Sequence, residues 1–426
     1  MTSHQLLLLL LQITVLLACA TVLGRLAMRC GMPTVVGELV VGVLVGPSVF
    51  GALAPGMSHW LWSSKDGQPQ LLEVITQFGV LLFVGVAAAH LDVPMLRRRR
   101  RTIATIGGSA LLIPLTLGVT TGCLLPRWLV GPEGNRTTFA LLVGVVMAVS
   151  AIPVMAKTLT DLNMMHRDVG QLMLASAAVD DVVAWLILSL VSGMTVSGYS
   201  GSALVLNVAH LIAFVLAAAL VMRPLARAAL RVADRVEGPG PTIATAVALI
   251  LGGSAAALSL GLEAALGAFA VGIVISSRGA VDVTKLAPLR TLVLAVFAPL
   301  FLASAGLRME ISVLADPGVA LIAVLVCALA IVVKLGGGYL GARLSRLTHR
   351  EGLAIGAGLN ARGAVEVVVA TIGLRIGVLS EAMYTIVILV AVVTSVTAPP
   401  ILRWAMARVE QVHHERLREI EMTAWS

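Results

Sequence analysis

Charge is scarce in this 426-residue chain: Asp, Glu, Lys and Arg together make up 12% of it, and aromatic residues only 4%. Set beside 58% hydrophobic residues and a mean hydropathy of +0.99, that scarcity excludes an ordinary soluble domain. Cysteine is also sparse. Cys19, Cys30, Cys123 and Cys327 lie in or beside apolar runs with no C-x-x-C spacing, which favours small buried hydrophobes over disulfides or a metal site. No phosphate-binding glycine loop, catalytic triad or metal-ligand motif occurs, so neither an enzyme nor a resident cofactor or metal is expected. The net charge of +8 could suggest nucleic acid, but the basic residues follow a membrane pattern instead.

What the chain has is long apolar runs. Thirteen hydrophobic segments lie near 5–27, 32–50, 71–92, 102–125, 138–160, 168–194, 203–222, 242–260, 262–277, 288–307, 318–342, 352–374 and 381–402. The first, from Gln5, lacks a basic leader and a small-residue cleavage site, and is read as a span rather than a signal peptide. Five arginines, Arg97 to Arg101, follow the third segment. With these in the cytoplasm, 22 of the 30 basic residues fall inside and five (Lys65, Arg127, Arg136, Arg308, Arg375) outside, while Lys157, Lys334 and Arg362 lie within spans or at their ends. This orientation puts the N-terminus outside and the C-terminus in the cytoplasm, and it requires an odd number of spans.

An internal repeat is also legible. The second segment carries glycines at 31, 37 and 42, and the ninth at 261, 267 and 272. Each is the second segment of a set of six, with the seventh as a linker, and an odd linker inverts the second set. The expected fold is an all-α polytopic membrane protein of about 13 transmembrane helices. It is organised as two inverted repeats (about 5–194 and 242–402) around a linker helix at 203–222, within a transmembrane domain over 1–404, with a short tail at 405–426. The fifth segment of each repeat looks broken: one contains "MAVSAIPVMAK" with Pro153, the other "GLNARGAVEVVV" with Asn360, Arg362, Gly363 and Glu366. Crossed half-helices would leave free N–H and C=O ends for fixed charges to compensate.

Those charges can be named. Asp180 and Asp181 sit side by side in the sixth segment, Lys334 deep in the eleventh, Arg362 and Glu366 in the twelfth. Ionisable groups at membrane depth are costly, and adjacent carboxylates oppose each other's ionisation, which is what a site trading a proton for a cation needs. At about 100° per residue the two aspartates point differently, so one can pair with a lysine while the other faces a cavity. Arg362 and Glu366, four apart, are expected as an ion pair supporting the broken helix. Lys157 and Asp161 are read as a surface pair or a snorkelling lysine, and His90 and His166 as incidental.

"SAIPVMAKTLTDLNMMHRDVGQLMLASAAVDDVVAWLILSL", "GMPTVVGELVVGVLVGPSVFG", "FAPLFLASAGLR", the Lys334 region and "GLNARGAVEVVVATIGLRIGVLS" closely resemble the Kef-type and plant cation/H+ exchanger branch of the monovalent cation:proton antiporters. The resemblance covers nearly the whole chain in order. It implies a homodimer with a panel domain and a core that moves by an elevator-like step. It also implies Asp181 as the cation- and proton-binding carboxylate, Asp180 as the partner of Lys334, and Ser150 and Ala151 at the unwound segment that helps coordinate a transient Na+ or K+. Many Kef-type and plant-type members have Asn or Gln where this chain has Asp180. The Asp–Asp pair is similar to that of bacterial Na+/H+ exchangers read as electrogenic, so ion and stoichiometry stay open. Residues 403–426 hold no G-x-G-x-x-G unit, and no nucleotide-binding domain is expected on this chain.

The expected function is exchange of Na+ or K+ for H+ by alternating access at a midplane aspartate site, in a plasma membrane of bacterial type. An exporter of an organic product on the same scaffold and a non-transporting membrane sensor are the alternatives.

Overall fold

The computed structural model describes residues 3–30, 32, 34–62, 68–89, 91, 93–196, 201–262, 264–275, 283–307 and 311–423; within helices, the side chains of Pro153 and Asp181 also lie outside the described set. His90 and Gly31 are outside it too. The main helices in chain order are α1 (Ser3–Arg29), α2 (Thr34–Val45), α3 (Gln68–Ala89), α4 (Arg100–Leu124), α5 (Arg136–Ala148), α6 (Ile152–Asp161), α7 (Asp168–Val196), α8 (Gly201–Ala217), α9 (Arg223–Asp234), α10 (Gly240–Ser259), α11 (Ala264–Ile275), α12 (Ala298–Leu307), α13 (Pro317–Leu344), α14 (His349–Leu359), α15 (Ala364–Arg375), α16 (Glu381–Met406) and α17 (His413–Thr423). No strand forms among the described residues, only an isolated bridge from Val130 to Leu379. Helices satisfy their own backbone, which a lipid environment demands.

Each of the thirteen apolar segments overlaps a helix, yet nine helices among the described residues are long and apolar enough to cross a membrane by length and composition alone. Three of the four differences have a physical source: the fifth and twelfth segments are split in two, and the helix of the ninth is only 12 residues long. The fourth, α7, is 29 residues long, with many of its side chains outside the described set. The linker is longer than its hydropathy suggests. It runs from α8 through a π turn at Ala218–Met222 into α9, because Ala226, Leu230 and Ala233 keep an apolar stripe while Arg223, Arg227 and Arg231 share the same helix. Of the cysteines, Cys327 is buried but Cys30 and Cys123 are exposed, against the expectation of burial for all four.

Two helix groups emerge from the packing. In one, α2 lies between α1 and α12, and α11 between α10 and α3; in the other, α4, α5, α7, α13, α14 and α16 pack together. The repeat glycines explain the first group. A Cβ on Gly37 would run into the Leu23 carbonyl of α1, and one on Gly267 into the Gly253 carbonyl of α10. Gly42 meets Ala303 of α12, and Gly272 meets Gly85 of α3, in the same way. Only glycine allows backbones this close. The half-helix α6 packs against α2, α3 and α12 of the first group and α7 of the second, and α2 also touches α16.

Several helix starts away from the breaks carry side-chain caps. Asn135 and Thr138 form a capping box on α5, Thr348 and Glu351 another on α14, and Asp316 accepts from the Gly318 amide at 2.7 Å on α13. The two internal starts, α6 after Ala151 and α15 after Gly363, have no side-chain cap. At the first, the Ala151 amide bonds across to the Ala361 carbonyl of the other break.

Candidate functional site

α5 stops at Ala148, the chain runs extended through Val149 and Ala151, and α6 begins at Ile152. Pro153 therefore occupies the first turn of α6, where its missing N–H costs nothing. The broken helix expected from the sequence is present, with Pro153 just past the break at the start of the second half-helix. The twelfth segment breaks over Asn360–Gly363. The breaks cross and bond. The Ala151 amide donates to the Ala361 carbonyl at 2.9 Å, and Ser150 Oγ lies 2.8 Å from the Leu359 carbonyl.

The carboxyl end of α5 leaves three carbonyls without helical partners, and each accepts from a buried cation. Arg362 donates to Val146 and to Met147 (2.8 Å), while Lys334 donates to Ala148. Both cations are fully buried, and the negative end of the helix dipole favours them there. Lys334 also donates to the Ala110 carbonyl of α4 at 3.0 Å and to Asp180 Oδ2 at 2.7 Å. Arg362 pairs with Glu366 at 3.2 Å, and its own carbonyl accepts from Ser395 Oγ of α16. Arg362 precedes α15, so the pair spans a helix start rather than one face of an intact helix, and Glu366 lies in the first turn, where a negative charge suits the dipole.

Asp180 on α7 is the hub. Its Oδ2 accepts from Lys334 and lies 3.0 Å from Ser150 Oγ. One hydroxyl proton cannot serve both Asp180 and the Leu359 carbonyl. An ionised Asp180 takes that proton; a protonated Asp180 can donate to Ser150 Oγ and release the hydroxyl to Leu359. Asp180 Oδ1, Glu366 Oε2 and both polar atoms of the buried Asn360 side chain have no hydrogen-bond partner among the described residues. Asp181 follows on α7, its side chain outside the described set. Of the residues singled out in sequence, Ser150, Ala151, Asp180, Lys334, Asn360, Arg362 and Glu366 thus gather at or beside the crossing. Among the described residues no three His, Cys, Asp or Glu side chains cluster to hold a metal.

Three features were missed. Ser395 gave no signal beyond being a serine in an apolar segment. Glu38 lay in plain view within "GELVV" and was read only as part of the glycine repeat; it is buried on α2, 3.5 Å from Lys157. Lys157 is correspondingly buried, not a surface or snorkelling residue. The third is the tail. α17 docks on the 162–168 turn, with Glu415 accepting from the Asp168 amide (2.7 Å) and Arg167 (3.0 Å), and Arg418 donating to the His166 carbonyl (2.6 Å). Asp168 also receives Arg99 at 2.9 Å and His414 at 3.0 Å. His166 contacts Gln411 and Glu419, so it is not a lone histidine. Burial pushes the His166 imidazole below its ordinary value, and the hydrogen bond from Gln411 holds Glu419 below its own.

Comparison with known proteins identifies the family. The family model described as "Sodium/hydrogen exchanger, transmembrane" matches residues 13–408. Cation/H(+) antiporter 18 of Arabidopsis thaliana is 28% identical over 395 residues, which are 92% of this chain and 48% of that protein. Na(+)/H(+) antiporter NhaS4 of Synechocystis sp. is 25% identical over 405 residues, 94% of this chain and 98% of that one. The chain spans about half the length of the plant relative and nearly all of the cyanobacterial one. Its fold is like that of the sodium proton antiporter MjNhaP1 of Methanocaldococcus jannaschii, with a TM-score of 0.65 at 15% identity over 95% of this chain and 97% of the other. The chain belongs to the sodium/hydrogen exchanger family of membrane transporters, within the monovalent cation:proton antiporter superfamily.

Proposed function

We propose that this protein exchanges a monovalent cation, Na+ or K+, for H+ at Asp181, with Asp180 and Lys334 as the coupled pair beside it. The observation that carries the reading is the fully buried Asp180, bound to Lys334 at 2.7 Å and reached by Ser150 at 3.0 Å where the two broken helices cross. A scaffold with no transport role would gain by replacing these groups with apolar ones, because buried ion pairs add little net stability. Family membership and relatives named as cation/H+ and Na+/H+ antiporters support the same reading.

In this mechanism a proton and a hard cation compete for Asp181. Backbone carbonyls and hydroxyls at the break around Ser150 and Ala151, with water, complete an oxygen shell, and Asn360 offers a further oxygen. Exchange is obligatory if the core crosses when Asp181 carries a proton or a cation but not when it is empty and charged. Ser150 responds to the protonation of Asp180 by moving its one hydroxyl proton. The paired glycine contacts of α2 on α1 and of α11 on α10 support the inverted repeat, which would put the site at the repeat interface near the bilayer midplane. The proposal includes alternating access, a homodimer, an N-terminus outside and a C-terminus in the cytoplasm.

The test is cation-driven proton flux across the membrane of proteoliposomes carrying an internal pH dye. Alkalinisation of acid-loaded vesicles on adding Na+, K+ or Li+, absent in Asp181→Asn, is expected and would name the ion. Undiminished cation-coupled flux in Asp181→Asn would overturn the site assignment. No response of the folded wild type to any monovalent cation would overturn the function and shift the reading to an organic substrate.

A further inference from the structure

Two turns along α6 from the crossing lies a second buried ionic cluster that the site does not use. Lys157 sits 3.5 Å from Glu38 of α2 and 3.5 Å from Asp161 of its own helix. Asp161 Oδ2 accepts from Thr34 Oγ1 at 2.6 Å and from the Val35 amide at 3.3 Å, both on the first turn of α2. Glu38 and Lys157 are 4% and 7% exposed, and Glu38 Oε2 has no hydrogen-bond partner among the described residues. These bonds join α2, which packs with α1 and α12, to α6, which lies between α2 and α3 on one side and α7 on the other and continues, across the break, the helix that packs with α4.

We propose that Thr34, Glu38, Lys157 and Asp161 form a latch between α2 and the half-helix α6 that opens and closes once in each transport cycle. The inference rests on the exchange reading above and adds a contact between α2 and α6 that must part during exchange.

Three physical points carry it. First, α6 is a short rigid rod: Lys157 stands about 9 Å along it from Ala151 at 1.5 Å per residue, so a latch at Lys157 and Asp161 fixes the end that meets Asp180. Second, the chemistry suits a contact that opens. An apolar contact of this size would expose hydrophobic surface on parting, whereas separated charges regain hydration, so an ionic contact keeps the open and closed states close in free energy. Third, water can stand beside the latch. Ala156 and Thr160 line a small cleft of about 20 Å³ with Phe83, Val86 and Ala87 of α3 and with Arg290, room for about one water that could hydrate the parted charges. Lys157 and Glu38 are positioning residues, acting on the site through α6.

The test joins α2 to α6 reversibly. In a background with Cys19, Cys30, Cys123 and Cys327 changed to alanine, Thr34→Cys/Asp161→Cys is bridged by a short bis-methanethiosulfonate and reconstituted for cation-driven proton flux. Bridging is expected to slow exchange at least tenfold, with recovery to within twofold after thiol reduction. Cation-induced thermal stabilisation should be retained, because the latch is not the binding site. Complete bridging with flux within twofold of the reduced protein would overturn the latch while leaving the exchange reading intact. Absence of flux in the wild type would overturn the exchange reading, and the latch with it. If the double variant does not exchange when reduced, Thr34→Cys alone decides by labelling with an impermeant maleimide at fixed pH. A labelling rate that changes at least fivefold on adding Na+ or K+ supports the latch, and a rate constant within twofold overturns it.

Discussion

The two broken helices are alike in outline and different in chemistry. At the end of α14 the orphan carbonyls are met without charge: the Asn360 and Ala361 amides turn back onto Gly356, Ala357 and Gly358, and Ser150 reaches Leu359. At the end of α5 the chain leaves in extended form, cannot turn back, and exposes Val146, Met147 and Ala148 to Arg362 and Lys334. Two helices expected as repeat partners therefore place their cost differently. One closes on itself, while the other imports two cations, and those cations bring Glu366 and Asp180 with them. The carboxylate site is on the α5 side of the crossing because that is where the uncompensated helix end lies.

The sharpest way to break this asymmetry is Arg362→Met. It strips two carbonyls and leaves Glu366 buried without its partner, a loss of about 3–5 kcal/mol. The expected result is failure to recover folded protein by fluorescence-detected size exclusion; near-normal recovery would mean that α5 needs no cation. Lys334→Met comes next. It should lower the melting temperature sharply, and adding Asp180→Asn should restore most of the loss, because the stranded carboxylate rather than the missing ammonium dominates the penalty. A double variant no better than the single would sink the pair. Gly37→Ala and Gly267→Ala probe the matched contacts on the other helix group. Each should cost about 1–3 kcal/mol by forcing a backbone apart, and a large difference between them in thermal stability would argue against equivalent packing. Ser150→Ala removes one neutral hydroxyl and should cost about 1 kcal/mol.

The smallest effect concerns the tail. With the folded His166 value depressed by burial, docking of α17 is at full strength above the ordinary imidazole value of 6.5 and weakens as pH falls below it, since the released state then takes up the proton more readily. Glu419, also depressed, acts in the same direction at lower pH, below its ordinary 4.5. Protection factors over residues 413–423, with the intrinsic pH dependence of amide exchange divided out, should therefore fall on acidification; a rise at low pH would contradict the sign.

Much of this was legible in the sequence. Hydropathy located the helices, and the rarity of charge made Asp180, Lys334, Arg362 and Glu366 conspicuous. Their partners were not legible, because the carbonyls of Val146, Met147 and Ala148 belong to residues with no distinguishing side chain. Pro153 marked the broken segment, but not which side of the break it starts, since a proline in a first turn and one in a helix interior read alike until the helix start is known. Lys157 was taken as a surface group because its nearer carboxylate, Asp161, is local in sequence, whereas Glu38 reaches it from a distant segment. The tail's docking depends on side chains more than 240 residues apart in the chain, a distance at which spacing carries no information.

The most direct measurement is proton release on cation binding, in weakly buffered detergent solution, with wild-type protein and Asp181→Asn. Competition at one carboxylate predicts that Na+ or K+ displaces a proton from the wild type and none from Asp181→Asn. Cation binding, seen as thermal stabilisation, without proton release, or release that persists in Asp181→Asn, would contradict the account.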